Sequence, residues 1–119
     1  MDAPIYRRLK IWRTATDLVV ETDALARQLP EHERYTLASQ LRRAAVSIPA
    51  NIAEGNGRVH RGDYLHHLSI ARGSLLELDT HLELALRLNY VCERDVDGAR
   101  RLLDQVSRML NRLIARLRS

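Results

Sequence analysis

A chain of 119 residues has the length of one domain and can bury a core without disulfide or metal staples. Apolar residues make up 45% and charged residues 29%, an ordinary folded composition that argues against disorder. The net charge is +4, and eighteen of the nineteen basic residues are Arg. Arginine suits bidentate contact with carboxylate and phosphate, although a GC-rich coding sequence enriches it too.

There is no Phe, and Leu, Ala and Arg dominate, so the intrinsic preference is helical. The opening MDAPIYRRLKIW has no apolar signal region, and no window approaches the ~20 apolar residues of a membrane span, so a cytoplasmic, membrane-free protein is expected. Cys92 is the single cysteine and forms no internal disulfide. It fits a reducing compartment and reads as an ordinary residue at a loop edge.

The first helix is expected over Leu9 to Leu29, on two apolar series: Ile11, Ala15, Leu18, Leu25, Leu29 and Leu9, Trp12, Val19, Ala26. Pro30 stops it, and Glu31 and Glu33 supply acids to the first turn of the next element. A second helix then runs from about Glu33 to Glu54 on Leu37, Leu41, Ala44, Ile48 and Ile52. Gly55 in the turn GNGR reads as its left-handed C-terminal residue. Asp63 is the expected cap of a third helix with the stripe Leu68, Ala71, Leu75, Leu78, Leu82, Ala85. A further series, Ile70, Leu76, Leu84, Leu86, Leu88, lies off that stripe. The segment NYVCERDVDG interrupts, and Val96, Ala99, Leu103, Val106, Leu110, Leu113, Leu117 resume as a fourth helix.

Short connections make each helix antiparallel to the last, so the expected fold is all-α, one up-down-up-down four-helix bundle over residues 1–119. Helices 1 and 3 carry more apolar residues than one buried stripe needs. That surplus either thickens the core or covers a partner subunit, and a homo-oligomer is expected.

Pro49 lies inside helix 2, where it removes a donor and pushes on the Ala45 carbonyl, so a kink is expected there. Ser47, Asn51, Glu54 and Arg58 follow at helical spacing as one polar stripe. The stripe either satisfies the loosened backbone or binds a ligand, and the structural role is the expectation. Gly73, in the middle of helix 3, suggests close approach of another backbone, with helix 2 as the expected neighbour.

The runs QLRRAAVSIPANIAEGNGR and YLHHLSIARGSLLELDTHLELA, and the extent from LKIWRTATDLV to LNY, resemble a known family. It is the four-helix-bundle family of the protein encoded in intervening sequences of bacterial 23S ribosomal RNA genes, also labelled S23 ribosomal protein. The most specific part is SIPANIAEG, ending at Gly55, followed by ARGSLLEL from Ala71. The resemblance implies a left-handed bundle assembled as a homopentameric ring. It also implies kinship with accessory proteins of diversity-generating retroelements, similar pentamers that bind nucleic acid and a reverse transcriptase. No catalytic activity is established for the family.

Chemistry-bearing motifs are sparse. No Glu-x-x-His occurs, and the pairs Asp63 with His67 and Glu77 with His81 are too few ligands for a metal cage, so no metal and no cofactor are expected. Ser74 lacks the setting of a nucleophile elbow, and EGNGR lacks the strand and Gly-Lys-Ser/Thr of a phosphate loop. An enzyme is therefore not expected. The charge pattern says more. Antiparallel topology gathers Arg7, Arg8, Lys10 and Arg13, then Arg58 and Arg61, then Arg108, Arg112, Arg116 and Arg118 at one end. Glu31, Glu33, Glu93, Asp95 and Asp97 gather at the other, against Arg34 and Arg94. The expected partner of the basic end is RNA or DNA backbone, bound without sequence preference. A purely structural protein-interaction ring is the other reading, and solvated arginines complementing the helix 4 dipole are the plainer account of the last four.

Overall fold

The computed structural model describes residues 4–119, so the first three residues of the expected domain lie outside it. Four helices form: α1 Lys10–Ala26, α2 Leu37–Asn56, α3 Arg61–Arg87 and α4 Glu93–Arg118, with 3-10 turns at Ile5–Arg8 and Glu31–Glu33. No strand occurs among the described residues. α1 packs on α2 and α4, α2 on α3, and α3 on α4, with no diagonal contact, the square arrangement of a four-helix bundle. The α3 stripe from Leu68 to Ala85 is buried at all six positions. In α4, Val96, Ala99, Val106 and Leu110 are buried as expected, while Leu103, Leu113 and Leu117 are half-buried and Ile114 is buried in addition.

The two apolar surpluses have different fates. On α1, Leu9, Trp12 and Val19 pack against the core and Ala26 is buried within it. On α3, Ile70, Leu76, Leu84 and Leu88 stay in solvent, Leu76 at 68% exposure.

The helix ends differ from expectation for local reasons. α1 stops at Ala26, and the chain turns through Gln28 and Leu29, each bonded three residues back. α2 starts at Leu37, because the Glu33 carboxylate accepts the Leu37 amide at 3.3 Å and the Thr36 hydroxyl, anchoring the first turn. α3 is capped at His60, so Asp63 lies in the first turn and complements the dipole without capping. α4 starts three residues before Val96, with Cys92 at its cap and Asp95 accepting the Cys92 amide at 2.9 Å.

Gly55 is not a left-handed terminus. It lies inside α2, buried, and no glycine has positive φ among the described residues. A Cβ there would sit 2.8 Å from His67 Cβ and 2.9 Å from Tyr64 Cδ1, so the residue is glycine because α3 passes too close for anything larger. The left-handed residue is Asn89, φ 62°, at the end of α3. The Tyr90 amide reaches back to Ala85 O and the Asn89 amide to Leu86 O, the paired bonds of a Schellman motif with Asn in glycine's usual place.

Gly73 corrects a second expectation. It faces solvent, and a Cβ there would meet nothing within 4 Å, so α2 does not approach it. The close approach occurs instead at Gly55 of α2, against His67 and Tyr64 of α3.

Pro49 is buried inside α2. The polar stripe beside it forms a chain across the α2/α3 seam. Asn51 Nδ2 donates to Ser47 O at 2.9 Å and to Ser47 Oγ at 3.1 Å. Ser74 Oγ donates to Ser47 Oγ at 2.8 Å, and His67 Nδ1 lies 3.0 Å from Asn51 Oδ1. A carbonyl only accepts, so the contact with Ser47 O fixes the amide orientation. Oδ1 therefore faces the ring, and Nδ1 is the nitrogen that carries the proton. Glu54 pairs with Arg58 at 3.1 Å and stands 3.9 Å from His67 Nδ1. The expected rescue of the Ala45 carbonyl by this stripe does not occur among these bonds; the amide serves Ser47 O instead.

Candidate nucleic-acid interface

Each cation at the basic end owes its place to an element boundary. The turn Ile5–Arg8 carries Arg7 and Arg8, with Tyr6 edge-on to Trp12 at 5.2 Å, which leans the turn back onto α1. Lys10 opens α1 and Arg13 follows one turn on. Arg58 follows α2, Arg61 opens α3, and Arg108, Arg112, Arg116 and Arg118 occupy the last turns of α4. The Ile5–Arg8 turn touches both α1 and α2, so the start of α1 and the end of α2 share one end of the bundle.

All ten side chains are exposed. Two are partly neutralised, Arg58 by Glu54 at 3.1 Å and Arg108 by Asp104 at 3.1 Å. Arg7 lies over the Tyr6 ring, 6.0 Å from its centre. Among the described residues, no carboxylate lies within 4.0 Å of Arg7, Arg8, Lys10, Arg13, Arg61, Arg112, Arg116 or Arg118. Three of them line one groove. Lys10, Arg112 and Arg116 rim a groove of about 530 Å³ between α1 and α4, floored by Leu9, Ile11, Met109 and Leu113, with Ala115 on its wall. The composition of α4 gave no hint of this groove, because Leu113 continues the core stripe by spacing yet remains half-buried.

At the opposite end the acids are engaged in holding loops. Glu33 accepts Tyr90 Oη at 2.8 Å, and His32 Nε2 stands 3.2 Å from the same oxygen, which pins the α1/α2 connection to the α3/α4 connection. The hydrogen bonds from Thr36, then Tyr90 and the Leu37 amide, hold the Glu33 carboxyl below its ordinary range, and Glu33 in turn pushes the Tyr90 phenol up. The Cys92 amide and thiol lower Asp95 in the same way. Glu93 pairs with Arg100 at 3.2 Å, and Glu31 with Arg34 at 3.8 Å. The two ends thus also differ in commitment: four of the five acids, all but Asp97, are bonded within the chain, and eight of the ten cations have no carboxylate partner among the described residues.

His67 and Ser74 were not part of the stripe read from the sequence. Their signal is present: His67, Ser74 and His81 recur every seven residues, which places them on one flank of α3. His81 Nε2 meets Glu77 at 3.4 Å, whereas His67 turns to Asn51 and not to Asp63. Among the described residues, no three His, Cys, Asp or Glu side chains converge as metal ligands. No helix is long and apolar enough to cross a membrane.

An all-α bundle of four antiparallel helices, with a hydrogen-bonded α2/α3 seam sealed at Gly55 and one arginine-rich end, defines the class of protein. The match to the family model of the 23S rRNA-intervening sequence protein spans residues 7–112, from the basic turn to the groove in α4, and the chain belongs to that family. A crystal structure of a protein with unknown function from the S23 ribosomal protein family of Bacteroides thetaiotaomicron VPI-5482 is similar. It has a TM-score of 0.81 and 24% identity over 87% of this chain and 97% of that one, a likeness of fold. No curated protein matches the sequence.

Proposed function

We propose that the protein is a non-catalytic RNA-associated accessory module of the bacterial cytoplasm. It binds phosphate backbone through the basic end of its bundle and works as a closed homo-oligomer, a pentamer by family resemblance. The observation that carries the RNA reading is the set of eight exposed cations, from three separate parts of the chain, that have no carboxylate partner among the described residues. Unpaired arginines on a surface are free to exchange counterions for phosphates. The family name, with its reference to 23S rRNA, is in keeping with this. The exposed Ile70, Leu76, Leu84 and Leu88 on α3 support self-association. They also favour the second reading, a protein-interaction ring that holds no nucleic acid.

Fluorescence anisotropy with labelled single-stranded RNA over a salt series tests the RNA reading. The expected binding weakens with a log-log slope of roughly 0.7 to 0.9 per phosphate neutralised. Arg112→Glu with Arg116→Glu reduces both the affinity and the slope. Absence of binding by the unaltered chain at ~50 mM salt, or no change on charge reversal, moves the structural ring into first place. Light scattering on a sizing column reads the assembly, and a concentration-independent mass of 13.7 kDa rejects it.

A further inference from the structure

We propose that the groove between the start of α1 and the end of α4 takes an unpaired base of single-stranded RNA, with the adjoining phosphates held by Lys10, Arg112 and Arg116. This rests on the RNA reading above and adds to it the kind of strand. The seam that contains the groove is unlike the other three. Arg42 reaches Asp23 across α1/α2 at 2.8 Å, Ser74 reaches Ser47 across α2/α3, and Arg100 reaches Glu83 across α3/α4 at 2.9 Å. Among the described residues, no side-chain hydrogen bond or ion pair crosses α1/α4. At the basic end of this seam lies the groove of about 530 Å³.

A surface that bound only phosphate would need no apolar floor. The groove has one, with Met109 and Leu113 partly open to water under three cations that have no acidic partner among the described residues. A duplex keeps its bases stacked inside and would leave that floor wet. A single strand can turn a base out, and an unstacked base offers a flat apolar face directly beside two phosphates. The thioether of Met109 adapts its shape and packs favourably on aromatic rings, and the Arg112 guanidinium can lie flat on a base while its edge reaches phosphate. An acidic peptide would also meet three cations. The unpaired charge continues well beyond the groove, to Arg8, Arg13, Arg61 and Arg118, which suits a ligand whose anions repeat along a chain.

Ala115 provides a probe, since it is exposed on the groove wall. Ala115→Phe fills the groove and leaves every charge in place; Ala115→Ser is its control. Anisotropy is measured with a labelled single-stranded RNA, a strand of the same length lacking bases, and a duplex, all over the same salt series. The unaltered chain is expected to favour the single strand about tenfold over both others, the effect of one stacked base. Ala115→Phe is expected to lose that preference with an unchanged salt slope, and Ala115→Ser to keep it. Equal affinity of the unaltered chain for the three ligands, or a preference that survives Ala115→Phe, overturns the inference while the RNA reading stands. These ligand comparisons use the unaltered chain, so the proposal can fail even where the Phe variant does not fold. Binding to none of the three ligands removes the RNA reading and this inference together. A lower oligomer mass for Ala115→Phe with RNA preference intact assigns the groove to a second copy and overturns the inference as well.

Discussion

Across the α2/α3 seam Ser47 and Ser74 are 2.8 Å apart, Asn51 and His67 are 3.0 Å apart, and Gly55 has no room for a methyl group. Across the α1/α4 seam no side chains bond among the described residues, and only Gly98, where a Cβ would stand 3.2 Å from Glu21 Oε2, shows comparable closeness. Both seams are made by antiparallel helices with regular apolar stripes, so the stripes do not explain the difference. Small and short polar residues do. Ser, Gly, Asn and Ser let two backbones approach until Ser47, Asn51, His67 and Ser74 bond one another. Leu113, Met109, Arg112 and Arg116 at the end of α4 line a groove instead. Tight bonding and accessibility are thereby assigned to different sides of one small bundle, and Lys10, Arg112 and Arg116 stand on the accessible side.

The contrast breaks most sharply at Gly55. Gly55→Ala places a methyl group 2.8 Å from His67 Cβ and 3.3 Å from the Tyr64 carbonyl oxygen, so the backbone of one helix must shift. A loss of about 2 to 3 kcal/mol is expected, in the range of overpacked cores and against the helix propensity gained. Urea unfolding measures it, and a variant as stable as the parent means that the seam is looser than its geometry. Asn51→Ala comes next, at about 1 to 3 kcal/mol, because it leaves His67 Nδ1 and the Ser47 hydroxyl short of a partner. If Asn51→Ala melts like the parent yet abolishes a binding activity, the stripe is a ligand site.

Much of this seam was legible before the fold was known, and the limits are instructive. Ser47, Asn51 and Glu54 stand at helical spacing beside a buried proline, which is enough to mark a polar flank on α2. The α3 half was missed because His67 and Ser74 are ordinary residues for an exposed helix, and only antiparallel register sets them opposite Asn51 and Ser47. The glycines show the same limit. Read from sequence, Gly55 falls in a turn and the close approach at Gly73, but which of the two meets a neighbouring helix depends on the face each presents. Gly73 lies between Ala71 and Leu75, off the buried stripe, and that detail could have argued against close packing. The basic end followed from topology alone, since helix order fixes which termini meet. The groove did not, because spacing makes Leu113 a core residue, whereas in the structure it lines the groove and stays half-buried.

The acidic end sharpens the comparison through pH. Its loops are held by Glu33, whose carboxyl is lowered from 4.5 mainly by the Thr36 hydroxyl and then by Tyr90. A group lowered in the folded state binds protons more readily when unfolded, so its contribution is complete above the unfolded value and lost as pH falls through the folded one. Acid unfolding should therefore weaken the chain below about pH 4.5, with a shallower pH dependence in Glu33→Gln. The Ser47–Ser74 link across the α2/α3 seam contains no carboxylate, so Ser74→Ala should lower stability without altering that dependence. An identical pH profile for Glu33→Gln and the parent would mean that the loops are held by packing alone.

The smallest expected effect is at Gly73, and it asks whether the exposed face of α3 is open in solution. Within one chain a Cβ there meets nothing within 4 Å, so Gly73→Ala keeps every internal contact and removes the excess backbone freedom of glycine from the unfolded state. A gain of about 0.5 to 1 kcal/mol is expected on that ground. Ile70 and Leu76 flank Gly73 at helical spacing and are exposed, so a second copy that covered this face would meet the glycine first. Unfolding and sizing of the same variant separate the cases. Higher stability with unchanged oligomer mass places the subunit contact elsewhere on the bundle. Lower stability together with a lower mass locates the contact at Gly73 and gives the glycine the close approach that α2 does not supply.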